Sequence, residues 1–150
     1  QFQTGFGKDN CTKCDAGTFQ NSTGSNSACV ACATGQYQPD EGEALCVLCG
    51  VGQFQDENGT KGCKECNIGQ FQNQTGSTEC LNCVAGQFQN ATKTTQCFAC
   101  DVGQFQNFTG QISCLECDPG RFQNDTKTTA CAQCTSGQFQ NVSRTTSCVD

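Results

Sequence analysis

Aromatic residues mark the chain at a fixed interval. Phe19, Tyr37, Phe54, Phe71, Phe88, Phe105, Phe122 and Phe139 follow one another every 17 residues after a first step of 18. Each sits in a short apolar island, Gln-Phe-Gln in most copies, between a glycine and a long polar run rich in Asn, Ser and Thr. Nowhere do apolar residues recur at the three-to-four spacing of an amphipathic helix, so no helix is expected. An island this short reads as a small strand, with the ring on one face and both glutamines on the other. That assignment makes the eight aromatic side chains the core. Asn73 would share the face of Phe71 if the strand ran on. The strand is therefore expected to end near Gln72, with Asn73-Gln74-Thr75-Gly76 turning back. Gly52, Gly69, Gly86 and Gly103, two residues before their rings, mark positions needing positive φ or close backbone approach.

A fixed short period signals repeat architecture, in which one unit cannot bury its own core and neighbours must stack. The expectation is a small disulfide-rich repeat protein: an elongated solenoid or rod of 17-residue modules with short β-strands or hairpins. About eight and a half copies fill residues 1–150 as one continuous array, with no change of composition to divide it. Gln1-Phe2-Gln3 repeats the Gln-Phe-Gln island, and Cys148-Val149-Asp150 stops one residue short of a CxxC. Both ends cut through a copy, which reads as a segment of a longer chain.

Composition turns the pattern into a compartment. The 150 residues include 17 Cys and 17 Gly, with no His, Met or Trp. Cysteine above about 8–10% in a small chain points to a disulfide scaffold in an oxidising compartment. A net charge of −6 from scattered acids disfavours nucleic acid, which needs a basic surface. No apolar run approaches the roughly 20 residues that span a bilayer.

The cysteines come as CxxC pairs. Zinc ligation would need sites that suit an exported chain poorly and here contain no His. Redox chemistry would need basic neighbours or a helix N-terminus to lower a thiol pKa, and no such feature recurs in the pairs. Structural disulfides remain. Bridges within each CxxC would close tiny strained loops of little entropic value. Crossed bridges between neighbouring pairs would impose a two-copy period, which is not seen. The one-copy period favours joining the second Cys of each pair to the first of the next. The bridges are then Cys14–Cys29, Cys32–Cys46, Cys49–Cys63, Cys66–Cys80, Cys83–Cys97, Cys100–Cys114, Cys117–Cys131 and Cys134–Cys148, leaving Cys11 over.

Asn-x-Ser/Thr sequons fall at Asn10, Asn21, Asn58, Asn73, Asn90, Asn107, Asn124 and Asn141, the last five spaced by 17. One sequon is weak evidence, but five in phase at one structural position argue for secretion and covalent glycans. The recurring glutamines beside the rings have two readings. They are a solvated face preserved by duplication, or an amide ladder in which each side chain bonds its equivalent in the next copy. Asp40, Glu41 and Glu43 lack the spacing of a calcium loop, so no metal or other cofactor is expected. Without His, a nucleophile elbow or a phosphate loop, no catalytic residues are assigned and no enzyme is expected.

Cys-x-x-Cys-x-x-Gly-x-Phe/Tyr, a polar run and the next Cys-x-x-Cys together resemble the ephrin-receptor-like cysteine-rich repeat. That repeat is itself similar to the simplest modules of tumour necrosis factor receptors. The resemblance covers the whole chain, in Cys14-Asp-Ala-Gly17-Thr-Phe19 as in Cys117-Asp-Pro-Gly120-Arg-Phe122. It implies an extracellular rod with disulfides across the Cys-x-x-Gly-x-Phe loop. The insistent Gln-Phe-Gln departs from the family pattern, as does the scarcity of Pro after CxxC, found only at Pro119. Two functions fit: a secreted or cell-surface structural protein of a fibre, hair, sheath or matrix, or a receptor or adhesion ectodomain. As partners, the first calls for other copies of itself or neighbouring fibre chains. A ligand site should show one copy diversified with exposed aromatic or charged groups. The most divergent stretches, at 39–43 and 56–59, are only more acidic, which favours the fibre.

Overall fold

A computed structural model describes residues 2–3, 11–21 and 28–150 of the chain, the side chains at 2, 3, 11 and 12 excepted. Asn10 lies outside the described residues. The architecture is a repeating, disulfide-bonded, all-β one of short hairpins, with no helix among the described residues. Chain contacts divide it into two units, Gln1–Cys66 with Gln72–Cys80, and Asn67–Phe71 with Leu81–Asp150.

In the first unit β1 (Phe2–Gln3) pairs with β2 (Cys11–Thr12), and β3 (Thr18–Phe19) with β4 (Val30–Ala31). There β5 (Gln36–Tyr37) pairs with β6 (Val47–Leu48), and β7 (Gln53–Phe54) with β8 (Lys64–Glu65). In the second, β9 (Gln70–Phe71) pairs with β10 (Leu81–Asn82), and β11 (Gln87–Phe88) with β12 (Phe98–Ala99). Likewise β13 (Gln104–Phe105) pairs with β14 (Leu115–Glu116), and β15 (Arg121–Phe122) with β16 (Ala132–Gln133). All pairs are antiparallel, and an isolated bridge joins Phe139 to Val149 in the same manner. From β3 on, the second strand of each hairpin is the interior of the next CxxC, and one disulfide closes each hairpin at its base. The eight bridges run Cys14–Cys29, Cys32–Cys46, Cys49–Cys63, Cys66–Cys80, Cys83–Cys97, Cys100–Cys114, Cys117–Cys131 and Cys134–Cys148.

Two-residue strands leave most backbone groups of a copy without ladder partners, and buried backbone groups must find them elsewhere. Neighbouring copies supply them in a fixed pattern. Within the second unit, Gly69, Gly86, Gly103 and Gly120 donate to the carbonyls of Gln89, Gln106, Gln123 and Gln140, each at 2.7 Å. Gln89, Gln106 and Gln123 then donate to Gln111, Thr128 and Thr145 of the following loop, all at 3.0 Å. Loop residues Gly110, Lys127 and Arg144 return a bond to the carbonyls of Cys83, Cys100 and Cys117. The first unit repeats the scheme, with Gly17 and Gly35 donating to Gln38 and Gln55, and Gly59 returning to Cys32.

The core differs from the sequence expectation. Its buried side chains are the second cysteines of the CxxC pairs, Cys14, Cys32, Cys49, Cys66, Cys83, Cys100 and Cys117, together with the glutamines Gln20, Gln38, Gln55, Gln72, Gln89 and Gln106 that follow the rings; Gln123 and Gln140 are half-buried. Phe19, Tyr37, Phe54, Phe71, Phe88, Phe105 and Phe122 are only half-buried, and Phe139 is 55% exposed. The glutamine faces inward because the loop needs an amide there. Gln89, 1% exposed, donates from Nε2 to the carbonyl of Gln96 at 2.8 Å, and its Oε1 accepts from the N–H of Ala91 at 3.0 Å. Gln38, Gln55, Gln72, Gln106, Gln123 and Gln140 make the same two bonds in their own loops. These bonds stay within one copy, so the ladder between equivalent glutamines is not what forms. One amide satisfies two loop groups that no strand reaches, a larger gain than turning a second ring inward would bring.

Glycine is required where the stack is tightest. Gly69, Gly86 and Gly103 have φ of +79°, +83° and +75°. A Cβ on any of them would fall onto the carbonyl oxygen of Gly110, Lys127 or Arg144, two copies further along. Within each unit, copies therefore touch both at one and at two copies' distance.

Candidate functional site

With cysteine and glutamine inside, the outward face carries what can be recognised. Just past each strand end the burial steps outward: Phe88 is half-buried, Gln89 buried and Asn90 exposed, and the copies of Phe71 and Phe105 follow suit. The sequon asparagine is thus exposed two residues from a ring that is itself partly open to solvent, whereas the sequence placed the ring inside. The strand ladder does stop at the ring, just before Gln72, as expected.

Opposite each ring stands the residue after the first Cys of the next pair. Phe71 faces Leu81, Phe88 faces Phe98, and Phe105 faces Leu115 in register. Leu81, Phe98 and Leu115 are 46%, 50% and 47% exposed. The Phe88 and Phe98 rings lie 5.9 Å apart and tilted, within the range of favourable aromatic pairing. Sequence reasoning missed this outer apolar pair, although its signal was present as an apolar residue at one CxxC position in most copies.

One copy is built differently. Phe54 faces Lys64. The ammonium of Lys64 lies 2.7 Å from Asp56 Oδ1 and 2.9 Å from Glu57 Oε1. Asp56 stands where later copies carry the sequon asparagine. Its hydrogen bond from Lys64 holds the carboxyl below the ordinary Asp value, and the same bonds raise Lys64 above the ordinary Lys value. Both groups are exposed, so the pair contributes little to stability.

Asn21, Asn58, Asn73, Asn90, Asn107, Asn124 and Asn141 are all exposed, as glycosylation sites must be. Among the described residues no group of three or more His, Cys, Asp or Glu side chains could hold a metal ion. No helix among them is long and apolar enough to cross a membrane.

A family model described as tyrosine-protein kinase ephrin type A/B receptor-like matches the chain in three overlapping windows, residues 24–62, 52–96 and 86–130. The windows span more than two thirds of the sequence. No curated protein matches it.

Proposed function

The chain belongs to the ephrin type A/B receptor-like family of cysteine-rich modules, and from that premise we propose that it forms part of a receptor or adhesion ectodomain. Modules of this family are non-catalytic scaffolds, and their disulfides fit an extracellular or cell-surface location. The family match moves the balance away from the fibre favoured by the uniformity of the copies. Within an ectodomain the chain acts as a spacer. The observation that carries this role is the sameness of the joints, with a glycine-to-glutamine bond of 2.7 Å recurring from copy to copy in each unit. Equal joints transmit position from one copy to the next, and among the described residues the cluster that sets one copy apart, Asp56, Glu57 and Lys64, closes on its own ion pairs. Glycans on the exposed sequon asparagines hydrate the outer face and hinder proteases.

The fibre reading keeps one supporting observation, the exposed apolar pair repeated on successive copies, through which chains could associate laterally. Sedimentation velocity and electron microscopy of the secreted, glycosylated chain separate the two. The ectodomain reading expects single particles across micromolar concentrations. Filaments of regular axial repeat would establish the fibre instead.

A further inference from the structure

The exposed apolar pair and the sequon asparagine beside it form one surface, and we propose that the first N-acetylglucosamine of the chain's own glycan lies on that pair. The proposal rests on the extracellular reading above, since attachment needs the secretory route.

Three observations support it. First, Asn90 is exposed two residues after the half-buried Phe88, and the turn between them is fixed by the buried Gln89, whose Oε1 holds the N–H of Ala91. Second, the copy at Cys49–Glu65 shows that these positions reach one another. Asp56 there occupies the asparagine position and Lys64 the position facing the ring, and their side chains meet at 2.7 Å beside Phe54. A group on Asn90 is thus carried to Phe98. Third, one copy departs at both positions together. Where the in-phase asparagine is replaced by Asp56, the residue facing the ring is Lys64, and the two side chains pair with each other. Asn73, Asn90 and Asn107 stand with Leu81, Phe98 and Leu115, and Asn124 with the smaller Ala132, while the Pro39 copy retains Val47.

The chemistry matches. A pyranose has one face of C–H bonds, and an aromatic face is electron-rich, so the two attract while water leaves both. Attachment forms a bond from Asn90 Nδ2 to C1 of the sugar and breaks the C1–O bond to a polyprenyl diphosphate carrier. The diphosphate leaves with the electron pair, and the amide proton passes to a base. The sugar then becomes a built part of the module, covering apolar surface that would otherwise be open to association.

The test uses the chain secreted from a glycosylating host and trimmed by an endoglycosidase to one N-acetylglucosamine per site. Heteronuclear spectra should show the Asn90 sugar protons shifted upfield by the rings, with cross-relaxation to Phe88 and Phe98. Phe98→Lys, which copies the residue found at Lys64 and so preserves the hairpin, should abolish the Phe98 contacts and reduce the shift. The sugar on Asn58, out of phase by two residues, should show neither effect. Solvent-like sugar signals at Asn73, Asn90 and Asn107, or no sugar at these sites by mass spectrometry, would overturn the proposal. Filaments formed by the fully glycosylated chain through the Phe88–Phe98 face would also overturn it, because that face would then be occupied by another chain. A monomeric chain with solvent-like sugars would leave the ectodomain reading standing while removing this one.

Discussion

Gly86→Ala and Gly120→Ala make the same chemical change at equivalent positions, yet they should differ greatly in cost. Both glycines are left-handed, with φ of +83° and +84°. Alanine there should cost about 1–2 kcal/mol at either site. At Gly120 nothing lies within 4 Å of the added Cβ. At Gly86 the Cβ falls onto the carbonyl oxygen of Lys127 and lies only 3.2 Å from Lys127 Cγ. Because the obstacle is backbone, the loop two copies on must move. Its movement strains two bonds, Lys127 N–H to Cys100 O at 2.8 Å and Gly86 N–H to Gln106 O at 2.7 Å. Each is worth about 0.5–1.5 kcal/mol, and the overpacking adds about 1–3 kcal/mol. Gly86→Ala should therefore cost about 3–8 kcal/mol. Denaturant melts with the disulfides intact give the comparison, and amide exchange locates it. Exchange at Lys127 should quicken in Gly86→Ala and stay unchanged in Gly120→Ala. Equal losses of stability, with unchanged exchange at Lys127 in both variants, would show that copies two apart do not touch.

Gln89→Met keeps the volume of the side chain but strips both loop bonds, and should lose about 2–5 kcal/mol as the Gln96 carbonyl and Ala91 N–H go unpaired. Phe98→Ala, at a half-exposed ring, should lose only about 1–2 kcal/mol in denaturant melts. The order of these two costs is the check, and a larger loss at Phe98 would return the core to the aromatic residues. Titration followed by carboxyl chemical shifts should place Asp56 below its ordinary value of 3.8, and Lys64→Met should bring it back. The pair's contribution should therefore be present above that ordinary value and be lost as pH falls through the lower, folded one. On the alkaline side it should persist below 10.5 and be lost as pH rises through the raised value of Lys64.

Much of this fold was legible in the sequence, because a strict period reports geometry directly. One copy per period set the hairpin, and the glycine before each Gln-Phe was read correctly as a place of positive φ or close approach. The faces of the strand were not legible, because hydrophobicity alone turned the ring inward. The signal that could have corrected this was positional. Glutamine follows the ring in all eight copies, whereas the residue before it becomes Thr18 in one copy and Arg121 in another. A solvated position tolerates such exchange, while an amide that must both donate and accept does not. The left-handed loop position was hidden for a related reason. It is Gly42, Gly59, Gly76 and Gly110 in four copies but Lys93, Lys127 and Arg144 in three, all with positive φ. Composition cannot reveal a loop conformation held against the backbone of preceding copies, as Lys127 is held through its N–H to the Cys100 carbonyl. The outer pairing of asparagine and ring needed both faults repaired first, since it exists only once glutamine occupies the interior.

The account depends most on each copy being closed by its own disulfide, so that equal units stack through glycine and glutamine. Peptide mapping of the secreted chain without reduction tests this directly, after cleavage on both sides of each polar loop. It should recover the linkages Cys66–Cys80, Cys83–Cys97 and Cys100–Cys114, with their equivalents in the other copies. Dominant bridges within CxxC pairs, such as Cys80–Cys83, or free thiols at these cysteines, would contradict it.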